Sequence, residues 1–285
     1  MSVRHFAIPL LCLTLLLGAC SRLDFGYRNL DWLIPWSLSD YIKLSREQKK
    51  WLKPRLQETL SWHCSTQLPA YSAWLQRSQE LAGQPQVRPA EFEGQFDEFR
   101  HAIDAIATQI TPDTIELLQS LSDKQVADLQ SKLDAQQSKL RQESQEQPLE
   151  KQVAERVKRM EERLRPWFGR LSAEQKQRIE QWSADLGEQN QAWLDNRAHW
   201  QALLMDTLRR RHDEQFAARF SHLLQQRHDL WTPAYRQQFE HSQTALAELF
   251  ADLFNSADAA QRERLQSRLA DLRKNLEGLT CPTTT

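Results

Sequence analysis

Apolar residues recur at spacings of three and four along most of the chain. Phe92, Phe96, Phe99, Ile103, Ile106 and Ile110 share one helical face, and Val153, Val157, Met160, Leu164 and Trp167 share another. Ile179, Trp182, Leu186, Trp193, Trp200 and Leu203 continue the pattern, and Leu265, Leu269, Leu272, Leu276 and Leu279 repeat it near the end. No stretch keeps the strict alternation of a half-buried strand. The pattern predicts an all-α, elongated multi-helix bundle of about eight amphipathic helices. They fall over 41–64, 67–82, 89–110, 112–120, 123–145, 149–168, 173–230, 233–254 and 257–277, with some neighbours merging.

Helix starts are marked chemically. Ser45 with Gln48, Ser122 with Gln125 and Ser172 with Gln175 read as capping boxes, each preceded by Leu. Thr111-Pro112 and Thr232-Pro233 read as a cap followed by Pro in the first turn. Asn255 and Ser256 offer a further cap. Pro54 and Pro166 should kink or break their helices. The 173–230 segment would span ~85 Å if straight, so it should bend or break near Gly187 or around Arg209–His212. The polar stretch 141–148 reads as a loop or a solvated helix end.

The first residues follow a different logic. Arg4 and His5 precede the apolar run Phe6–Leu17, which is too short for a span of about 20 residues. The run ends in Leu17-Gly18-Ala19-Cys20, the layout of an export signal with small residues before the cut. Leu-Gly-Ala-Cys resembles the bacterial lipoprotein box. That resemblance implies cleavage before Cys20, lipidation of Cys20, and a membrane partner reached through the acyl chains. Ser21 after the Cys implies the periplasmic face of the outer membrane. The chain then divides into a cleaved signal peptide (1–19), a lipid-anchored tether (20–40) and one all-α periplasmic domain (41–285). Within the tether Tyr27, Leu30, Trp32, Leu33, Ile34 and Trp36 are apolar enough to pack on the body, and an interfacial role suits the two Trp as well.

Cysteine usage extends this picture. Of four Cys, the lipoprotein-box resemblance implies that Cys12 leaves with the signal and that Cys20 carries lipid. Cys64 and Cys281 remain, an even pair in an oxidising compartment, and are expected to form a disulfide.

Composition narrows the function. Lys and Arg number 37 against 38 Asp and Glu, so no charge excess calls for a nucleic-acid partner. Only 7 of 285 residues are Gly, which leaves little material for phosphate-cradling loops, and no Gly-x-Ser-x-Gly or nucleotide-binding motif occurs. His63, His101, His199, His212, His222, His228 and His241 show no ligand spacing, so no metal or other cofactor is expected. Arg209-Arg210-Arg211 is the densest charge cluster, a candidate contact for headgroups or an acidic partner beside its reading as a solvated turn. Ten Trp mostly fit apolar helix faces.

Two further resemblances bear on function. Tyr27-Arg28-Asn29-Leu30-Asp31-Trp32-Leu33, Trp36, Tyr41, Gln48, Trp51-Leu52 and Trp62-His63-Cys64 resemble the opening of an uncharacterised family of proteobacterial lipoproteins, which implies a helical body and no assigned activity. The Leu-Ser-x-x-Gln copies at 44–48, 121–125 and 171–175 resemble the repeats of Spy-type periplasmic chaperones, and local helix capping explains the same residues. The expectation is a non-enzymatic envelope lipoprotein working through protein or envelope-component contacts. The alternatives are a client-binding chaperone and an envelope-acting hydrolase.

Overall fold

The computed structural model describes residues 26–145 and 147–281, so the export signal, Cys20 and the first residues of the tether lie outside the described residues. The described chain is all-helical, with eleven helices and no strand, more helices than the eight expected. They are α1 (Leu30–Ser39), α2 (Arg46–Trp62), α3 (Leu68–Ala82), α4 (Pro89–Gln119), α5 (Asp123–Gln145), α6 (Leu149–Phe168), α7 (Ala173–Asp185), α8 (Asn190–Arg209), α9 (Phe216–Gln225), α10 (Pro233–Asn255) and α11 (Ala259–Glu277). A π-helical segment, His63–Gln67, joins α2 to α3.

The differences from the pattern have local causes. The long 173–230 segment becomes α7, α8 and α9. Its first break centres on Gly187, whose φ of 60° suits a residue without a Cβ. The second is the turn from Arg210 to Gln215. Conversely, 89–110 and 112–120 fuse into the 31-residue α4, ~46 Å long at 1.5 Å per residue. Thr111 is therefore not an N-cap. Its hydroxyl donates back to the Ala107 carbonyl at 2.6 Å and accepts from Gln225 of α9 at 3.0 Å, inside a helix that continues through Pro112. Helix α2 likewise runs through Pro54, and α6 passes Pro166 before ending at Gly169, with φ 70°. Asn255 caps nothing: its side chain grips both the N–H and the carbonyl of Val87, and Asp258 caps α11 instead.

Two main cores result. One gathers Leu75, Met160, Leu164, Phe168, Ile179, Trp182, Leu249, Leu253 and Leu265 from α3, α6, α7, α10 and α11. The other gathers Ile42, Leu118, Leu129, Met205, Leu208, Phe216 and Phe220 around α4, α5, α8 and α9. Helix α4 reaches from Phe92, in a smaller cluster with Ala247 and Ala251, to Leu118 in the second core.

Each main core carries a polar clasp made from the capping boxes. Gln48 and Gln125 exchange amide hydrogen bonds at 3.3 and 2.8 Å, joining the starts of α2 and α5. Gln175 and Gln261 do the same at 3.0 Å in both directions, joining α7 and α11. In each box the Gln carbonyl oxygen also accepts from its own N-cap N–H. Spare amide protons go to the backbone before the partner helix: Gln48 to Ser120, Gln125 to Lys43 and Gln261 to Arg170. Two helix N-termini that would otherwise leave N–H groups bare are thereby closed against each other. The Leu-Ser-x-x-Gln copies have this structural use.

Candidate functional site

The N-terminal segment, the π-helical segment and the C-terminal tail converge on one place. Tyr27 Oη lies 3.0 Å from His63 Nδ1, and Tyr71 Oη lies 3.3 Å from His63 Nε2. A neutral imidazole has one N–H, so one phenol donates to the bare nitrogen while the other accepts. Burial pushes the His63 pKa below its usual 6.5 and keeps the ring neutral, and burial together with the neighbouring Tyr71 pushes Tyr27 up to about 12. Next along the chain, Cys64 is buried and bonded to Cys281. A cavity of about 300 Å³ opens beside this latch, lined by Tyr27, Arg28, Asp31, Gln57, Leu60 and Thr280.

The segment expected to be a tether is thus a docked helix from Leu30 onward, with Leu38 packed on the second core. Its aromatic residues are a correction to the packing expectation: Trp32 is 61% exposed and Trp36 58%. The two indoles sit one turn apart and stack on each other, centroids 6.0 Å apart. The six apolar residues of α4 also divide. Phe92 is buried, whereas Phe99 is 60% exposed and Ile103 is exposed too.

The Arg209-Arg210-Arg211 cluster does not stay together as a contact surface. Arg211 is 5% exposed, so it is unavailable to a headgroup or partner. It donates to the carbonyls of Leu121 (2.8 Å) and Leu208 (3.3 Å) and bonds Asp123, tying the turn after α8 to the start of α5. That bond holds the exposed Asp123 carboxyl below its usual range. Arg209 reaches Gln130 and Arg210 pairs with Asp206, both at the surface.

Among the described residues no three His, Cys, Asp or Glu side chains converge as a metal site, and no helix is long and apolar enough to cross a membrane. Other hollows open to solvent away from the latch. One, about 490 Å³, lies over Trp231 and Phe239 with Glu93, Asp97 and Glu240 at its rim.

Residues 40–236, more than half of the chain, match a family of unknown function (DUF6279). The chain belongs to that family. The matched span runs from the residue after α1 to the first turn of α10 and holds the Gln48–Gln125 clasp, the π-helical segment and Arg211. No curated protein matches the chain, and no solved structure does. The latch combines both sides of the family boundary, since Tyr27 and Cys281 lie outside the match and His63, Cys64 and Tyr71 inside it. Sequence reading selected Cys64 and Cys281 but missed Tyr27 and Tyr71 as partners of His63. Their spacings of 36 and 8 residues follow no local motif.

Proposed function

We propose that the protein is a periplasmic lipoprotein, anchored in the outer membrane through Cys20, that acts without catalysis by holding a helical body at the membrane and binding another envelope component there. The observation that carries the reading is that Tyr27, seven residues after Cys20, and Cys281 are both held at one place, by the Tyr27–His63–Tyr71 latch and the Cys64–Cys281 bond. A disulfide suits the oxidising compartment to which an export signal leads. The titratable groups of shifted acidity at this place are engaged in docking the N-terminal segment, which is a mechanical role.

The Cys20→Ala variant tests the anchor. It should accumulate as an uncleaved precursor without lipid; release of the wild-type protein from membranes by salt and carbonate would overturn the reading. Turnover of an envelope substrate by the purified protein, abolished by one substitution, would overturn the non-catalytic part.

Phe99 and Ile103, exposed one turn apart on α4, favour a second reading as a client-holding chaperone. It requires suppression of aggregation of an unrelated denatured protein, weakened by Phe99→Ser. No suppression at excess protein ends it.

A further inference from the structure

Helix α1 is unlike its neighbours. Its sequence, Leu-Asp-Trp-Leu-Ile-Pro-Trp-Ser-Leu-Ser, is mostly apolar, yet none of its residues is buried. Every other helix of the described chain contributes residues to the buried interior. Trp32, Ile34 and Trp36 project into solvent. Indoles in such a position favour the boundary between water and lipid, where the ring is dehydrated and its N–H still finds acceptors.

The start of α2 supplies the matching charge. Arg46, Lys49, Lys50 and Lys53 stand at i, i+3, i+4 and i+7, one stripe of the helix, and all are exposed. None of the four forms an ion pair among the described residues, although Arg55 on the same helix pairs with Asp113 and Glu116. Glu47, within the stretch, has its carboxylate bonded to Ser45. Gln57 continues the stripe and lines the same cavity as Tyr27, Arg28 and Asp31, which sets that end of the stripe beside the start of α1. Asp40 lies beyond the helix end.

Chain length completes the argument. Residues 21–25 separate Cys20 from Gly26, a reach of ~20 Å when extended. With Cys20 acylated, α1 cannot leave the neighbourhood of the headgroups, and the Tyr27–His63 bond keeps α1 from peeling off the body.

We infer that α1 is an in-plane interfacial helix: Trp32 and Trp36, on one face of it, enter an anionic lipid surface while the Arg46–Lys53 stripe meets its phosphates, so the body is held flat at the membrane and does not swing on its tether. This rests on the membrane reading above. The occupant of the exposed face is lipid.

The test separates the two. A chain starting at Ser21, with an N-terminal hexahistidine in place of the acyl group, is held on phosphatidylethanolamine–phosphatidylglycerol vesicles by a nickel-chelating lipid. Acyl chains brominated near the headgroup then report which Trp enter the bilayer. The expected result is quenching of the intrinsic fluorescence that is lost in Trp32→Phe/Trp36→Phe and kept in Trp193→Phe. Lys49→Glu/Lys50→Glu/Lys53→Glu should reduce it on anionic vesicles and leave phosphatidylcholine vesicles unchanged. Circular dichroism checks that each variant is folded. Absent quenching, or quenching indifferent to the Trp32/Trp36 pair, overturns the inference. So does a dimer in solution that the same pair abolishes, since a second copy would then cover the face. None of these outcomes depends on Cys20, whose state is read separately from the mass of the native N-terminus.

Discussion

Two buried side chains show how single residues hold this fold. Gln175, 1% exposed, bonds its own N-cap and Gln261 at once. Gln175→Leu removes the bond to the Ser172 N–H and both amide bonds to Gln261, which keeps Arg170 and its own N-cap, and should lower stability by about 1–3 kcal/mol, read as a shifted urea midpoint at unchanged slope. Arg211→Met strands the Leu121 carbonyl and should cost about 2–3 kcal/mol. Arg209→Ala and Arg210→Ala, at the surface, should stay within about 0.5 kcal/mol. Equal effects across the three arginines would contradict the division described here. His63 gives a pH signature. Its folded pKa lies below the ordinary 6.5, so between those two values the unfolded chain binds a proton that the folded chain refuses. Stability should therefore rise with pH across that window and level off above it. His63→Gln should reduce this slope and leave the share of His228, whose pKa burial also lowers, and a slope unchanged by His63→Gln would refute the neutral latch.

Among the elements, starts were easier to read than stops. Ser45, Ser172 and Thr232 cap where the sequence places them, because capping involves only the next three residues. Pro112 misled because what surrounds it is tertiary: Gln225, far along the chain, holds the Thr111 hydroxyl, and α9 packs on α4 there. Gly187 marked a break honestly, since its positive φ is a property of the residue itself. Periodicity also placed Trp182 correctly inside and Phe99 wrongly so. A helical face tells which residues lie together but not how much of that face a neighbour covers. Trp32 and Trp36, expected from their apolar neighbours to pack on the body, stand in solvent instead. The latch was not legible at all, for it joins three segments that only the fold brings together.

For the whole molecule, the disulfide closes a loop that spans most of the chain, a separation of 217 residues. In the chain-entropy view such a closure contributes about 5 kcal/mol by restricting the unfolded chain. Reduction should therefore lower the thermal midpoint, and Cys64→Ala/Cys281→Ala should match the reduced protein. A midpoint unmoved by reductant would mean that the tail contributes nothing to the body. The clasps at Gln48–Gln125 and Gln175–Gln261 lie at separate cores, so their losses should add within about 0.5 kcal/mol. The most direct test of the central claim is the intact mass of the N-terminal peptide from protein extracted out of its native membrane. A peptide beginning at Cys20, carrying diacylglycerol on sulfur and an acyl group on the amine, is the expected result. A chain that still begins at Met1, or a cut that leaves Cys20 unmodified, would contradict it.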